Sequence, residues 1–251
     1  MNSQAFQSLT SSNPNGLTNA SRFGTMGSSG VPDPTYSHIY SNDFSTYAAG
    51  DWTITLTGTG TAALIAGDGG ILQLTTTTGT TDAVFVQQVQ PTFTIDSGKQ
   101  MFFKFAGSLA DATLPAFYCG MLNQTTTPLA PTDGFYCYKT AGSTSLHFAV
   151  VVGSVSTSIS TPIVLNLAAG VYFEIGFQID QYGNFAIYWQ PQTGTQLAPN
   201  PLVNPVAKGR IAQYTPAAFT TVNLSPSFGI QNSTAAAKTL NVDYIVASNE
   251  R

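Results

Sequence analysis

The residues that could do chemistry in this chain of 251 residues are few: two histidines, His38 and His147, two cysteines, Cys119 and Cys137, and two glutamates, Glu174 and Glu250. Glycoside hydrolysis needs two carboxyl groups about 5 to 10 Å apart across a cleft. Glu250 sits beside the last residue. Glu174 stands on the outward parity of the run "VYFEIGFQID", and Asp180 is the acid that shares its face. Six residues of extended chain separate the two by roughly 20 Å, so a cleaving pair would have to draw acids from separate strands. Neither histidine has a Cys, His or Asp partner at the spacing of a zinc ligand, and both read as surface or interface residues. The expectation is a protein that is not an enzyme, with no catalytic residue, no metal and no cofactor.

Cys119 and Cys137 fall on the inward parity of aromatic segments, where a thiol packs as a small apolar group. Buried free thiols are the simplest account, and a disulfide is open geometrically if their strands are adjacent. "AGDGG" (66–70) lacks the Lys and Ser/Thr of a nucleotide loop and the several acids of a calcium loop, so it reads as a turn. The acceptor patterns at Asn19, Asn123 and Asn232 matter only in a glycosylating compartment. Tyr182, Tyr188 and Trp189 could form a sugar platform, although strand aromatics more commonly fill cores and interfaces.

Whatever positions these groups is built with little charge. Eight basic and twelve acidic residues make up 8% of the chain, with a net charge of -4, which gives no broad attraction for nucleic acid or an anionic membrane. No apolar stretch reaches the eighteen residues of a spanning helix, and the opening "MNSQAFQSLTSSNPNG" does not read as a secretory signal. A surface of Thr, Ser, Asn and Gln tolerates close packing against neighbours.

Residues 1–40 form a compositional zone of their own, with turn formers and isolated apolar residues at Phe6, Leu9, Leu17, Phe23 and Met26. This reads as an extended arm, either disordered or ordered by a partner through those five anchors. From residue 41 to 251 the period is two. "WTITLTG", "DAVFVQQV", "KQMFFKFAG", "FYCGML", "GFYCYK", "LHFAVVV", "VYFEIGFQID", "FAIYWQ" and "LNVDYIV" alternate as half-buried strands do. They place Trp52, Phe103, Phe105, Phe148, Phe173, Phe177, Trp189 and Tyr244 in the core. "TAALIAG" and "AGSLADATL" read as single turns, and the proline-rich span of about 190–220 as a long excursion. The fold class is all-β, an antiparallel two-sheet β-sandwich with an N-terminal arm.

The phrases "NDFSTYAAGDWTIT", "GGILQLTTTTGTTDAVFVQQVQPTFTIDSGKQMFFKFAG", "LNLAAGVYFEIGFQIDQYGNFAIYW" and "LSPSFGIQNSTAAAKTLNVDYIVASNER" resemble the lectin-like, concanavalin-like jelly-roll virion proteins of tailed bacteriophages. The resemblance implies a structural capsid decoration, or cement, protein on the outer capsid surface of the virion. Its implied partners are the major capsid protein and further copies of itself, as a dimer or trimer. The alternative it leaves is a carbohydrate-binding module of a phage tail or fibre.

Overall fold

The computed structural model describes residues 37–67, 69–90, 93–94, 100–158, 163–180, 182–191, 207–210 and 222–250. The five apolar positions of the arm, Phe6, Leu9, Leu17, Phe23 and Met26, lie outside that set, as does most of the 190–220 span. The strands are β1 Ser37–Asn42, β2 Trp52–Thr57, β3 Gly60–Ile65, β4 Ile71–Thr76, β5 Ala83–Gln88 and β6 Phe93–Thr94. They continue as β7 Met101–Leu109, β8 Ala116–Leu122, β9 Gly134–Lys139, β10 Ser145–Val152, β11 Val155–Ser158 and β12 Ile163–Asn166. The last are β13 Tyr172–Ile179, β14 Asn184–Pro191, β15 Ala207–Arg210, β16 Asn223–Gln231 and β17 Thr239–Glu250. Among the described residues no helix is long and apolar enough to cross a membrane.

The strands form an antiparallel sandwich. One sheet has eight strands in the order β15-β14-β13-β7-β17-β4-β3, with β1 also on β17. The other has nine, in the order β11-β10-β9-β8-β16-β5-β2, with β12 on β10 and β6 on β16. β1 begins inside the zone read as an arm, and its Ser37–Asn42 pair with Glu250–Ile245 of β17. β15 lies within the proline-rich span and pairs with β14. Pro226 falls between the part of β16 paired to β6 and the part paired to β5, where a ladder tolerates a missing N–H best.

The two sheets bury a continuous aromatic core. Phe105 of β7 lies 5.8 Å from Phe117 of β8, 6.0 Å from Phe173 of β13 and 5.9 Å from Phe228 of β16, centroid to centroid, and so joins both sheets. Trp52 packs at 5.6 Å on Phe228, and Phe177 sits between Phe103 and Phe148 at 5.0 and 5.2 Å. Trp189 stacks on Phe173 from the margin of this cluster. Aromatic contacts of this kind add to the burial of large apolar area.

Three expectations need correction. "AGSLADATL" is not a single turn, because its first four residues are the end of β7 and bends follow them. "TAALIAG" is not a turn, because its residues form β3, an edge strand paired along its length with β4. Tyr244 is not a core residue. The register of β17 against β7 shifts between Val242 and Tyr244. Such a bulge moves every later side chain to the other face. Leu240 and Val242 point inward before the shift, Ile245 and Ala247 after it, while Tyr244 turns out.

Replacing Phe105 by Ala removes a ring that touches three others across both sheets, and is expected to cost about 3–5 kcal/mol. Urea denaturation checks this, against an exposed control such as Val155→Ala, which is expected to stay within about 0.5 kcal/mol of the parent.

Candidate functional site

The nine-stranded sheet is apolar on both of its faces. One face closes the core. On the other, a second cluster of Ala83, Phe85, Tyr118, Leu122, Tyr136, Ala149 and Val151 is buried, with Tyr138 packed on its margin. The registers show how these side chains meet. Thr55, Phe85, Gly229, Tyr118, Tyr138 and His147 stand opposite one another on β2, β5, β16, β8, β9 and β10, forming one row across six strands. The neighbouring row runs Thr53, Gln87, Ser227, Gly120, Tyr136 and Ala149.

The glycines of these rows create space for the rings. A Cβ at Gly229 would run into the Phe85 and Tyr118 rings, which instead close to 5.5 Å over it. A Cβ at Gly120 would strike the β9 backbone at Phe135 and Tyr136. Next along, Tyr136 and Tyr138 lie 5.5 Å apart, and the His147 ring stacks on Tyr138 at 5.3 Å. The Tyr118 hydroxyl is buried and without a hydrogen-bond partner, and burial pushes its pKa up.

A trough of about 560 Å³ runs along β9 over this surface, within the size range of small-ligand sites. Tyr136, Tyr138 and Val151 line it, together with Leu129, Ala130, Pro131 and Ser154 at one end and Lys139, Thr140 and Ala141 at the other. The β8–β9 loop that carries Leu129 to Pro131 is pinned from both sides. Gln87 Nε2 donates to the Asn123 carbonyl, and the Thr125 amide donates to Gln87 Oε1. Asn123 donates through Nδ2 to Thr132 Oγ1, and Asp133 Oδ1 accepts from the Gly153 amide.

The other end is fastened by buried charge. Lys139 shares the inward parity of Phe135 and Cys137 and is 1% exposed. Its Nζ donates to the carbonyls of Thr113 at 2.9 Å, Thr140 at 3.2 Å and Pro115. Burial lowers its pKa to about 8, against the opposing pull of Asp111. Asp111 Oδ2 pairs with Lys238 Nζ at 2.6 Å, and its Oδ1 accepts the amides of Thr113 and Leu114. Partial burial would raise the Asp111 carboxyl, but the Lys238 hydrogen bond and the two amides outweigh it and bring it to about 2.

The residues singled out from sequence are scattered. Glu174 faces outward on the eight-stranded sheet, on the far side of the molecule from the trough, and is 5% exposed. It meets Lys104 Nζ at 3.0 Å and accepts from the Tyr244 hydroxyl, and the same ammonium lies 5.0 Å over the Tyr244 ring. Asp180 instead organises the β13–β14 turn, accepting the amides of Tyr182 and Asn184. Glu250 bonds the Gln100 amide. Cys119 and Cys137 are free thiols directly opposite each other on β8 and β9, fully buried in the core, and burial pushes both thiol pKa values up.

His38 packs on Phe93. Asn232 is buried, with its amide spent on the Thr77 and Gly79 carbonyls. Tyr182, Tyr188 and Trp189 form no platform: the first is exposed on a turn, the second is buried, and the third stacks on Phe173 in the sandwich. Among the described residues no three His, Cys, Asp or Glu side chains converge as a metal site. The trough residues went unnoticed in sequence, although "GFYCYK" carries the signal: two tyrosines share one parity, and a lysine sits on the core parity.

No family profile and no curated protein matches the chain. Solved structures do. An endo-1,3-beta-glucanase from Streptomyces sioyaensis superposes with a TM-score of 0.57 at 11% identity, over 87% of this chain and 98% of the other. Peanut lectin, solved with a nine-residue peptide, matches at 0.54 and 13%, over 85% and 97%. The lumenal domain of VIP36 in its Ca²⁺- and mannose-bound form matches at 0.54 and 9%, over 84% and 91%. The chain is thus an all-β, two-sheet antiparallel sandwich of the concanavalin-like jelly-roll kind. The expectation of a bacteriophage capsid decoration protein is corrected by the same comparison. The similar solved structures include lectins, a glucanase, a calreticulin globular domain and the VIP36 domain, and none of these is a coat protein. The virion surface and the major capsid protein as partner stood on the sequence resemblance alone.

The ordinary carboxyl pKa for Asp111 is 3.8, and the folded value is about 2. Its contribution to stability is therefore fully present above 3.8 and lost as the pH falls through about 2. Urea denaturation of the parent and Asp111→Asn at a series of pH values should show a gap that is constant above about pH 5 and closes through that window.

Proposed function

We propose that this protein binds a neutral glycan, without cleaving it, in the trough along β9. One observation carries the reading: a sandwich face that would ordinarily be wet instead presents the half-buried Tyr138 ring, backed by the buried Tyr136 ring, along the floor of a ligand-sized depression. Flat rings offer apolar area to the C–H face of a sugar and a hydroxyl at the rim. Thr140, Ser154 and the surrounding loop carbonyls supply uncharged hydrogen-bonding groups at the two ends. The one ammonium in the described lining, that of Lys139, is committed to three carbonyls, which favours a neutral over an acidic ligand. Its described lining carries no carboxylate, the group on which glycosidic cleavage depends, and this supports binding over hydrolysis. Proteins that share the fold include a lectin, an endo-1,3-beta-glucanase and a domain in a mannose-bound form.

Affinity electrophoresis of the full chain through gels holding soluble glucan, mannan, xylan or galactan tests the proposal. At least one polysaccharide is expected to retard the parent. Tyr136→Ala and Tyr138→Ala are each expected to weaken retention about tenfold, while Tyr182→Ala on the distant turn leaves it unchanged. Retardation by none of the four, or equal retention of all variants, contradicts the proposal, and release of reducing ends contradicts its non-catalytic part.

A further inference from the structure

The rings on the outer face of the nine-stranded sheet are not equally covered. Phe85, Tyr118 and Tyr136 are buried. Tyr138 and His147, directly opposite each other on β9 and β10, stay half-buried. Their rings stack at 5.3 Å with an interplanar angle of 26°. Among the described residues, neither the Tyr138 hydroxyl nor either ring nitrogen of His147 makes a hydrogen bond. The half-buried Ser145 shares that face of β10, and Thr140 stands at the adjoining end of the trough. Polar groups with unused bonding capacity therefore gather where the trough meets β10.

We infer that His147 is a ligand-binding residue of this face: its ring nitrogens hydrogen-bond hydroxyl groups of a sugar unit seated over Tyr138 and β10, next to the unit held in the trough. This role rests on the glycan reading, and it makes the ligand an oligosaccharide or longer chain that crosses β9 at Tyr138. A neutral imidazole carries one N–H donor and one acceptor nitrogen, and a hydroxyl likewise both donates and accepts. The two match without any charge, in keeping with a neutral ligand. With its plane held by the Tyr138 ring, the imidazole loses little further freedom on binding. A ring that merely covered the sheet would need no nitrogen atoms, because stacking and burial belong to the faces of the ring. His147→Phe would perform that task as well, and hydrogen bonding not at all.

Affinity electrophoresis of the full chain with the polysaccharide that retards the parent separates the two roles. His147→Phe keeps a ring over the sheet and loses both nitrogens. His147→Gln loses the ring and keeps a donor and an acceptor. Retention of His147→Phe is expected to weaken about tenfold, as befits one or two lost hydrogen bonds, and His147→Gln to be retained more strongly than His147→Phe. Equal retention of His147→Phe and the parent overturns the inference, as does His147→Gln retained no better than His147→Phe.

Imidazole ¹H–¹⁵N spectra of the parent supply a second reading that depends on no variant. They resolve the ring nitrogens of both histidines, and His38, packed on Phe93, serves as the internal reference. Oligosaccharides cut from the retarding polysaccharide are expected to shift the His147 nitrogens saturably and to leave His38 in place. The matching monosaccharide, at the same concentration of sugar units, is expected to shift them several-fold less. Unmoved His147 nitrogens in a parent that the polysaccharide retards overturn the role given to His147 and leave the trough reading standing. A monosaccharide as effective as the oligosaccharide overturns the chain that crosses β9. Retardation of the parent by none of the four polysaccharides overturns the glycan reading, and the role of His147 with it.

Discussion

The antiparallel pairing of β8 with β9 is the constraint on which the rest of the molecule hangs. It sets Cys119 against Cys137 and Tyr118 against Tyr138, and because side chains alternate, one decision of register fills the core and builds the outer face together. Phe117, Cys119, Met121, Phe135 and Cys137 go inward, and Tyr118, Tyr136 and Tyr138 go outward. A slip by one residue would exchange the two sets. Both sets are apolar, which ordinarily leaves register weakly specified. Gly120 and Gly229 add the missing information, since each is the position where a neighbouring strand or ring comes too close for any side chain. Lys139 adds more, because only the observed register delivers its ammonium to three carbonyls.

Part of this protein's small complement of charge lies inside it. Among eight basic and twelve acidic residues, Lys139, Glu174, Lys238 and Asp82 are buried, each bonded to backbone or to an opposite charge. Lys238 and Asp111 join the β16–β17 and β7–β8 connections. Asp82 accepts from the Gly79 amide and Thr77, closing the β4–β5 turn. Lys104, Glu174 and Tyr244 tie β7, β13 and β17 on the outer face of the eight-stranded sheet. Burying a charge is costly unless it is paired and hydrogen-bonded, so these few groups fasten loops and strands firmly. They leave a surface on which aromatic and hydroxyl contacts dominate.

The sandwich was legible because a period of two in "VYFEIGFQID" or "DAVFVQQV" has one physical meaning, a strand with one face in a core. The failures have physical causes as well. β3 was read as a turn because an edge strand need not bury its alternate residues, and Leu64 and Ile65 remain exposed. Tyr244 was misplaced because nothing local announces the bulge beside it; the bulge exists only relative to β7. The trough was missed because its floor combines residues from β9 and β10 and its ends combine loops, and pairing partners are invisible to a linear reading. Tyr136 and Tyr138 shared a parity that pointed away from the core, and a second apolar face on a sandwich strand is a signal of contact. The capsid reading followed phrases such as "LNLAAGVYFEIGFQID" that describe strands and turns rather than a site, and function resides in the site.

In the function proposed above, the outer face of the nine-stranded sheet is the face this protein uses. An NMR titration of the full chain with neutral oligosaccharides of glucose, mannose and galactose addresses it most directly. Saturable shifts are expected at Tyr136, Tyr138, Thr140 and Val151, with the amides of β13 and β14 unmoved. Shifts confined to the opposite sheet, around Glu174 and Tyr188, would contradict it.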